Sequence, residues 1–209
     1  MLKPESSLIA ERFLAHGNWQ VTQAEVLEQN LLQSRTASSA KRIVGELVKR
    51  LQRLNNAELQ FLVDANYEEK GYLLWLAICR CYRFLGEFAV EVLHERFITL
   101  QITLNHEDYN YFFTHKAAYN EKLAKLSEST QYKLRQTTFK MLRDVELLSS
   151  ENIITPAVLS KELAKLIAQG NPNEFFYYPI FEADVARLLQ WKKTLPCCRY
   201  KKDTSTYLL

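Results

Sequence analysis

Glycine and proline are rare in this chain, and their scarcity limits how it can fold more than any other feature. Only five glycines and five prolines occur in 209 residues, too few for the frequent tight turns of a β-sandwich or β-barrel. The stretches between them are rich in leucine, glutamate, lysine, glutamine and alanine, which favour helices. Because 47% of the residues are hydrophobic, the chain can bury one sizeable core or two small ones. These features predict a folded, mainly α-helical protein.

Apolar residues recur at intervals of three and four along most of the chain, which indicates a series of amphipathic helices. The predicted helices cover residues 7–13, 24–32, 39–54, 56–65, 68–97, 117–126, 130–143, 156–168 and 182–191. The segments 145–148 and 152–155 are short and partly β-branched, so they are candidates for one small β-hairpin.

The order of these elements predicts three parts packed into one globular unit. Residues 1–105 form a helical domain that contains a first helix-turn-helix. Residues 106–165 give the order helix, turn, helix, hairpin, which is typical of a winged helix-turn-helix. Residues 166–209 supply a C-terminal helix and a basic tail. The expected fold is mainly α, a compact helical core with helix-turn-helix elements and room for one hairpin wing.

Cationic residues are concentrated in three stretches, although the whole chain has a net charge of only +3. Residues 35–53 contain six lysines and arginines against Glu46 alone, residues 130–143 contain four against no acid, and residues 187–202 contain six against no acid. The rest of the chain is therefore acidic. Basic stretches on an acidic body are typical of proteins that bind a polyanion. The first two also begin with serine and threonine clusters, which suit helices directed at a phosphate backbone.

The predicted helix at residues 39–54 has an apolar and a cationic face. Its apolar positions fall on one side of a helical wheel, and they are Ile43, Val44, Leu47, Val48, Leu51 and Leu54. Arg42, Glu46, Lys49 and Arg53 fall in a narrow row on the other side. The apolar side must face the core, so the cationic row is expected to face outward.

The predicted helix at residues 130–143 has a similar division. Its inner side is assigned to Leu134, Thr138, Met141 and Leu142, and its outer side to Lys133, Gln136, Lys140 and Arg143. Long cations suit phosphates and guanine edges, and an amide can pair with adenine, so both helices are candidates for groove binding. An outward row of cations is also ordinary solvated surface, and that interpretation stays open. The residues predicted to contact DNA are Arg35, Ser38, Ser39, Lys41, Arg42, Lys49, Arg53, Ser129, Lys133, Gln136, Lys140 and Arg143.

Sequence signatures of catalysis are not found. The chain has no glycine-rich phosphate loop, no GxSxG or HExxH motif and no paired-aspartate nuclease motif. Only His106, beside Glu107 and Asp108, resembles a reactive cluster, and a helix cap explains that triplet without further assumption. We therefore expect no enzymatic activity, no cofactor and no metal site.

The composition also favours a cytoplasmic setting. The four cysteines have the spacing of neither a zinc site nor a disulfide framework. The start of the chain is too polar for a signal peptide, and four charged residues interrupt the most apolar window, residues 72–92. We expect no membrane span.

Three blocks of sequence resemble a known family. They are SRTASSAKRIVGELVKRLQRL (34–54), LLWLAICRCYRFLGEFAVEVLHERF (73–97) and LSESTQYKLRQTTFKMLRDVELL (126–148). In this order they resemble the BrxA family, a small component of the bacteriophage exclusion (BREX) phage-defence systems of bacteria. The resemblance covers roughly residues 7–165, and none of the blocks is a catalytic signature.

The resemblance implies an all-helical core similar to NusB-type antitermination proteins, with helix-turn-helix elements. It also implies DNA binding in a system that contains a methyltransferase, an ATPase and a phosphatase-like protein. Members have been labelled inner-membrane proteins as well, which the charges within residues 72–92 contradict here.

The favoured function is a non-enzymatic accessory protein of phage defence that binds double-stranded DNA with little sequence preference, with other BREX components as partners. Two alternatives stay open. One is RNA binding of the NusB type through the same basic surface, and the other is a protein adaptor whose basic rows bind acidic partners. The cation pattern serves all three, so the sequence discriminates them poorly.

Overall fold

The computed structural model describes residues 1–189 of the chain. Within them the regular backbone structure is helical, so the prediction of a mainly α fold is confirmed. The α-helices are α1 (Lys3–His16), α2 (Trp19–Glu28), α3 (Ala37–Leu51), α4 (Asn56–Asp64), α5 (Tyr67–Cys81), α6 (Arg83–Phe88), α7 (Glu95–Ile98), α8 (His106–Ala117), α9 (Glu121–Ala124), α10 (Glu128–Asp144), α11 (Lys161–Gly170) and α12 (Glu182–Leu189). A π-helix spans Ala89–His94 and a 3-10 helix spans Pro172–Tyr177.

Asparagine and threonine side chains mark where the first helices begin. The side chains of Asn18, Thr36 and Asn66 accept hydrogen bonds from backbone N–H groups in the first turns of α2, α3 and α5. Asn55 forms a capping box with Glu58 at the start of α4. Caps of this kind satisfy the amide groups that a helix start leaves without partners. The helices predicted in this region are present, with shifted boundaries.

The helix predicted over residues 68–97 is not continuous. α5 is buried on all sides from Gly71 to Cys79, and Tyr82 then adopts an extended conformation with φ of −121° and ψ of 97°. After this break α6 lies close to the end of α5. A Cβ atom at Gly86 would lie 2.9 Å from the carbonyl oxygen of Cys79, so the close approach requires glycine. The prediction was wrong because apolar periodicity persists across a break of one residue.

The helix predicted over residues 117–126 is also misplaced. The aromatic segment before it forms α8, which ends at Ala117, and residues 118–126 contain only the single turn α9. Tyr109 and Phe112 of α8 pack against Phe88, with ring centroids 5.4 Å apart in both pairs. This packing buries one face of α8, a helix that the predicted series does not include.

The chain after α10 forms isolated backbone bridges. Leu148 bridges to Ile154 and Thr103 to Ile153, both antiparallel. The Ile154 N–H also donates to the carbonyl of Ile102 at 2.7 Å. Residues 1–189 contain no β-sheet, and the predicted hairpin wing is not confirmed.

One hydrophobic cluster extends through the described chain, from Ile9 of α1 to Val185 of α12. The Trp75 indole of α5 donates to the backbone carbonyl of Tyr177 at 2.8 Å. The Tyr178 hydroxyl donates to the carbonyl of Tyr72 at 2.8 Å. These bonds attach the C-terminal part of the chain to α5, because each pairs a polar atom that the core would otherwise bury without a partner.

The helix predicted from residue 156 begins later, at Lys161. Ser160 caps it, with its side chain accepting a hydrogen bond from the Leu163 N–H. The preceding segment is irregular, and its Ala157 N–H donates to the carbonyl of Pro179 at 2.9 Å. The serine cap therefore sets the start of α11.

Candidate nucleic-acid interface

The start of α3 presents the first predicted contact residues. Thr36 caps the helix, and its Oγ1 accepts a hydrogen bond from the Ser39 N–H at 3.2 Å. Arg35 and Ser38 are exposed on either side of this cap, and Ser39 is half-buried. Arg35 and Ser38 are therefore accessible to a ligand, while Ser39 is partly covered.

The two faces of α3 are divided as the periodicity predicts. The buried residues are Ala40, Val44, Leu47, Val48 and Leu51. The exposed cations are Lys41, Arg42, Lys49 and, in the turn after the helix, Arg53. Burial of the apolar face fixes the rotation of the helix about its axis, so the cations are held toward solvent.

The single acid in this region, Glu46, already has two partners. Arg50 donates from Nε and Nη2 to Oε1 of Glu46 at 3.1 and 2.8 Å, and the Tyr82 hydroxyl donates to the same oxygen. Burial opposes ionisation, but the bonds from Tyr82 and Arg50 prevail and hold the pKa of Glu46 below its ordinary value. Burial and the bond to Glu46 raise the pKa of Tyr82. Glu46 thus neutralises Arg50 and leaves the other cations of α3 unpaired.

Arg50 is the one cation in or beside α3 that forms an ion pair with a described residue. Within residues 1–189 no ion pair involves the remaining cations, which are Arg35, Lys41, Arg42, Lys49 and Arg53. Unpaired and exposed cations keep their full charge for an external anion.

The second predicted group lies on α10, and all of its members are exposed. They are Ser129, Lys133, Gln136, Lys140 and Arg143. Lys133 and Lys140 form no ion pair with any described residue. The Gln136 amide donates to the Tyr132 hydroxyl at 2.7 Å, and Arg143 Nη2 donates to Asn152 Oδ1 at 2.6 Å. The two lysines are therefore the uncommitted cations of this face.

The inner face of α10 differs from the prediction at two positions. Thr138 and Leu142 are buried as expected, but Leu134 is 38% exposed. Phe139 is buried instead, and its ring centroid lies 4.8 Å from that of His106. The buried residues of α10 all lie in its C-terminal half. The N-terminal half, with Lys133, therefore stands away from the core.

The two helices that carry the exposed cations, α3 and α10, pack against different helices. α3 packs mainly against α1, α2 and α5, whereas Phe139 of α10 packs on α8. Met1 connects their C-terminal ends, because its amino group bonds to Asp144 of α10 and its side chain lines a small cavity together with Leu47 and Leu51 of α3. The ends of both helices therefore share one neighbour.

A cleft of about 570 Å³ between α8 and α10 contains residues that the periodicity did not single out. Its lining includes Asn110, Ser129, Tyr132, Lys133 and Arg135, of which only Ser129 and Lys133 were predicted contact residues. Tyr132 and Arg135 are three residues apart and thus neighbours on one helix face. A tyrosine and an arginine three positions apart on a basic helix are the sequence signal that could have indicated them.

The His106-Glu107-Asp108 triplet forms the first turn of α8, and its Asp108 completes a capping box with Asn105. Asp108 accepts hydrogen bonds from the Asn105 N–H at 2.7 Å and from Arg96 Nη1 at 2.8 Å. The Asp108 carboxylate therefore caps the start of α8 and binds Arg96. Burial raises the pKa of the Cys79 thiol, which suits a cysteine that packs in the core.

The third basic stretch falls mostly beyond the described residues. Arg187 is exposed and pairs with Asp184 at 3.1 Å, while the tail predicted to be basic lies outside the described residues from position 190 onward. Between residues 1 and 189, no helix combines the length and the apolarity that crossing a membrane requires.

These features define a class of protein: an all-helical protein that exposes cations on two helices whose opposite faces are buried in one core. The sequence model of the BrxA family matches residues 1–171, and the chain belongs to that family.

Two relatives carry the name BREX protein BrxA. The protein from Bacillus cereus (strain H3081.97) is 27% identical over 127 residues, which is 61% of this chain and 64% of the relative. The protein from Escherichia coli O9:H4 (strain HS) is 24% identical over 144 residues, which is 69% of this chain and 68% of the relative. The chain thus spans slightly less than two thirds of the Bacillus relative.

The fold has a counterpart among solved structures. The crystal structure of an uncharacterized protein from Magnetospirillum magneticum matches 85% of this chain and 92% of its own chain, with a TM-score of 0.71 and 17% sequence identity. At this identity the likeness shows a shared fold.

Proposed function

We propose that this protein is a non-enzymatic accessory component of a BREX phage-defence system and that it binds double-stranded DNA with little sequence preference. The observation that carries the proposal is a set of exposed cations on α3 and α10 whose side chains have neither an ion-pair nor a hydrogen-bond partner within residues 1–189. These are Lys41, Arg42, Lys49, Lys133 and Lys140. The relatives named BREX protein BrxA support the assignment to a BREX system.

The architecture supports binding to a regular polyanion. Duplex DNA carries about one negative charge per 1.7 Å of axis and releases condensed counterions when cations neutralise its phosphates. The apolar faces of α3 and α10 are buried, so the cations on the opposite faces are held toward solvent. Lysines and arginines in such rows bind phosphates of any sequence.

Three of the groups best suited to read bases already have intramolecular partners. Gln136 donates to Tyr132, Arg143 donates to Asn152 and Arg50 donates to Glu46. Base recognition uses such amides and bidentate arginines. Four of the five free cations on α3 and α10 themselves are lysines, which act on phosphates as point charges. Low sequence preference follows.

The proposal includes no catalytic step, because the sequence contains none of the glycine loops or carboxylate motifs that nuclease, ATPase or methyltransferase chemistry uses. It places the protein in the cytoplasm, where the DNA of an infecting phage is found, with other BREX components as partners.

A titration of labelled duplex DNA over a series of salt concentrations tests the proposal. If about six phosphates are neutralised, the logarithm of the affinity should fall with the logarithm of salt concentration with a slope near −5, at roughly −0.9 per contact. A duplex of unrelated sequence should compete equally well. No retardation of DNA at low salt would refute the proposal, and stronger competition by structured RNA would favour RNA binding instead.

A further inference from the structure

The cleft between α8 and α10 borders the proposed DNA-binding face. Ser129 and Lys133 belong both to that face and to the lining of the cleft. Tyr109, only 1% exposed, forms part of the inner wall. A volume of about 570 Å³ falls within the range of sites that hold small molecules. The cleft can therefore accommodate a ligand of the size of one nucleotide.

Tyr132 is held in place at the edge of this cleft. Its side chain is 52% exposed, and its hydroxyl accepts a hydrogen bond from Gln136 at 2.7 Å. The guanidinium carbon of Arg135 lies 5.3 Å from the centroid of the ring. These two contacts restrict the ring before any ligand binds, which lowers the entropy loss on binding. An exposed, pre-positioned aromatic ring is a stacking surface for a nucleic-acid base.

Arg135 places a cation at the wall of the same cleft. Its Nη1 donates to Asn110 Oδ1 at 2.7 Å, and this bond holds the guanidinium in position. Arg135 forms no ion pair within residues 1–189, so its charge remains available to an anion in the cleft. Lys133, exposed on the same lining, adds a second cation. The lining also includes Glu128, so the two cations outnumber the acids of the cleft by one, and beside the aromatic ring they suit a base and its phosphate.

We propose that this cleft takes one unpaired nucleotide of DNA, with the base stacked on Tyr132 and the phosphate bound by Lys133 and Arg135. This inference rests on the proposed function, because duplex DNA bound along α10 would lie beside the cleft. The nucleotide comes either from a base that leaves the helix or from a single strand, and both have the same aromatic face and phosphate.

The test compares three labelled DNA probes, an intact duplex, the same duplex with one bulged nucleotide, and a single strand. The bulged duplex should bind about tenfold more tightly than the intact one, the order of effect expected when one base stacks on an aromatic side chain. Tyr132→Ala should abolish this preference and leave the affinity for the intact duplex unchanged. Tyr132→Phe should retain it, since the ring remains.

A matched control is Tyr111→Ala, which removes a tyrosine of α8 that is 78% exposed and does not line the cleft. It should keep the preference for the bulged duplex. Thermal melting of each variant establishes that the fold is intact, because these exposed side chains contribute little to the core.

The outcomes separate the two proposals. Equal affinity for bulged and intact duplexes, or a preference that survives Tyr132→Ala, overturns this inference and leaves duplex binding standing. Binding of the bulged duplex or the single strand alone, dependent on Tyr132, overturns duplex binding and supports the cleft. Failure to bind any of the three probes overturns both.

Discussion

Arg80 donates hydrogen bonds to both carboxylate oxygens of Glu58, with Nη1–Oε2 and Nη2–Oε1 distances of 2.8 Å. The same guanidinium donates to Glu174 from Nε at 2.8 Å and from Nη2 at 2.7 Å, and to the carbonyl of Arg53 at 3.0 Å. Burial opposes the charge, but the bonds to Glu174 and Glu58 raise the pKa of Arg80. This cluster connects α4, α5 and the 3-10 helix, and it keeps three separate parts of the chain in one arrangement.

Replacing Arg80 should be strongly destabilising. Arg80→Met should lower the free energy of unfolding by about 3–5 kcal/mol, because Glu58 and Glu174 would remain buried without a counter-charge. Chemical denaturation measures the loss. The control Arg187→Met removes an arginine whose side chain is 80% exposed and should change stability by less than about 1 kcal/mol. Equal effects of the two substitutions would contradict a structural role for the cluster.

Two glycines should respond to alanine in opposite directions. At Gly86 a Cβ atom would meet the Cys79 carbonyl oxygen at 2.9 Å, so Gly86→Ala should destabilise the protein by about 1–3 kcal/mol through backbone displacement. At Gly45, inside α3, the nearest atom is 4.0 Å away, so Gly45→Ala should stabilise by about 0.5–1 kcal/mol. Thermal melting of both variants tests the sign, and stabilisation by Gly86→Ala would show that α6 can move away from α5.

The bonds to Glu46 should make part of the stability depend on pH in acid. The pKa of Glu46 in the folded protein lies below its ordinary value of 4.5, so its contribution is full above pH 4.5 and is lost as the pH falls through the folded pKa. Glu46→Gln should therefore lower stability at neutral pH, and the difference from the unaltered protein should shrink below pH 4.5. Tyr82→Phe, which removes one of the bonds, should reduce the same difference.

Denaturation curves at a series of pH values measure this effect. The control Glu121→Gln alters a carboxylate that is 88% exposed and should leave the pH dependence nearly unchanged. A difference between the protein and Glu46→Gln that stays constant through the acid range would argue against the proposed role of the Tyr82 and Arg50 bonds.

Charge reversal should identify which helix binds DNA. Arg42→Glu with Lys49→Glu on α3, and Lys133→Glu with Lys140→Glu on α10, should each weaken duplex binding by orders of magnitude. Neither pair should shift stability by more than about 0.5 kcal/mol per position, because all four residues are exposed opposite buried faces. Titration and melting of the same samples separate loss of binding from loss of folding.

A control with the same change in charge is Lys161→Glu with Lys165→Glu, two exposed lysines of α11 outside the predicted interface. This pair should weaken binding much less. If only one of the interface pairs matters, the other cationic row is free for a protein partner. If neither matters, deletion of the residues after position 196 tests the basic tail.

The sequence determined the helical class and much of its segmentation. Helical spacing is local, so it indicates where helices lie without knowledge of the rest of the fold. The caps Asn18 and Thr36 are local signals too, and using them would have moved the predicted starts from residues 24 and 39 to Trp19 and Ala37. The exposure of Lys41, Arg42 and Lys49 follows from the same spacing, because a helix that buries one face must present the other to solvent.

Only the tertiary structure decided which polar groups are paired and where the helix predicted over residues 68–97 breaks. The partners Glu46 and Tyr82 are 36 positions apart, and Arg80 and Glu174 are 94 positions apart, so no local pattern relates them. The break at Tyr82, the burial of Phe139 and the cleft beside Tyr132 likewise depend on how distant helices pack. Periodicity is a property of one helix, whereas pairing and cavities are properties of the contacts between helices.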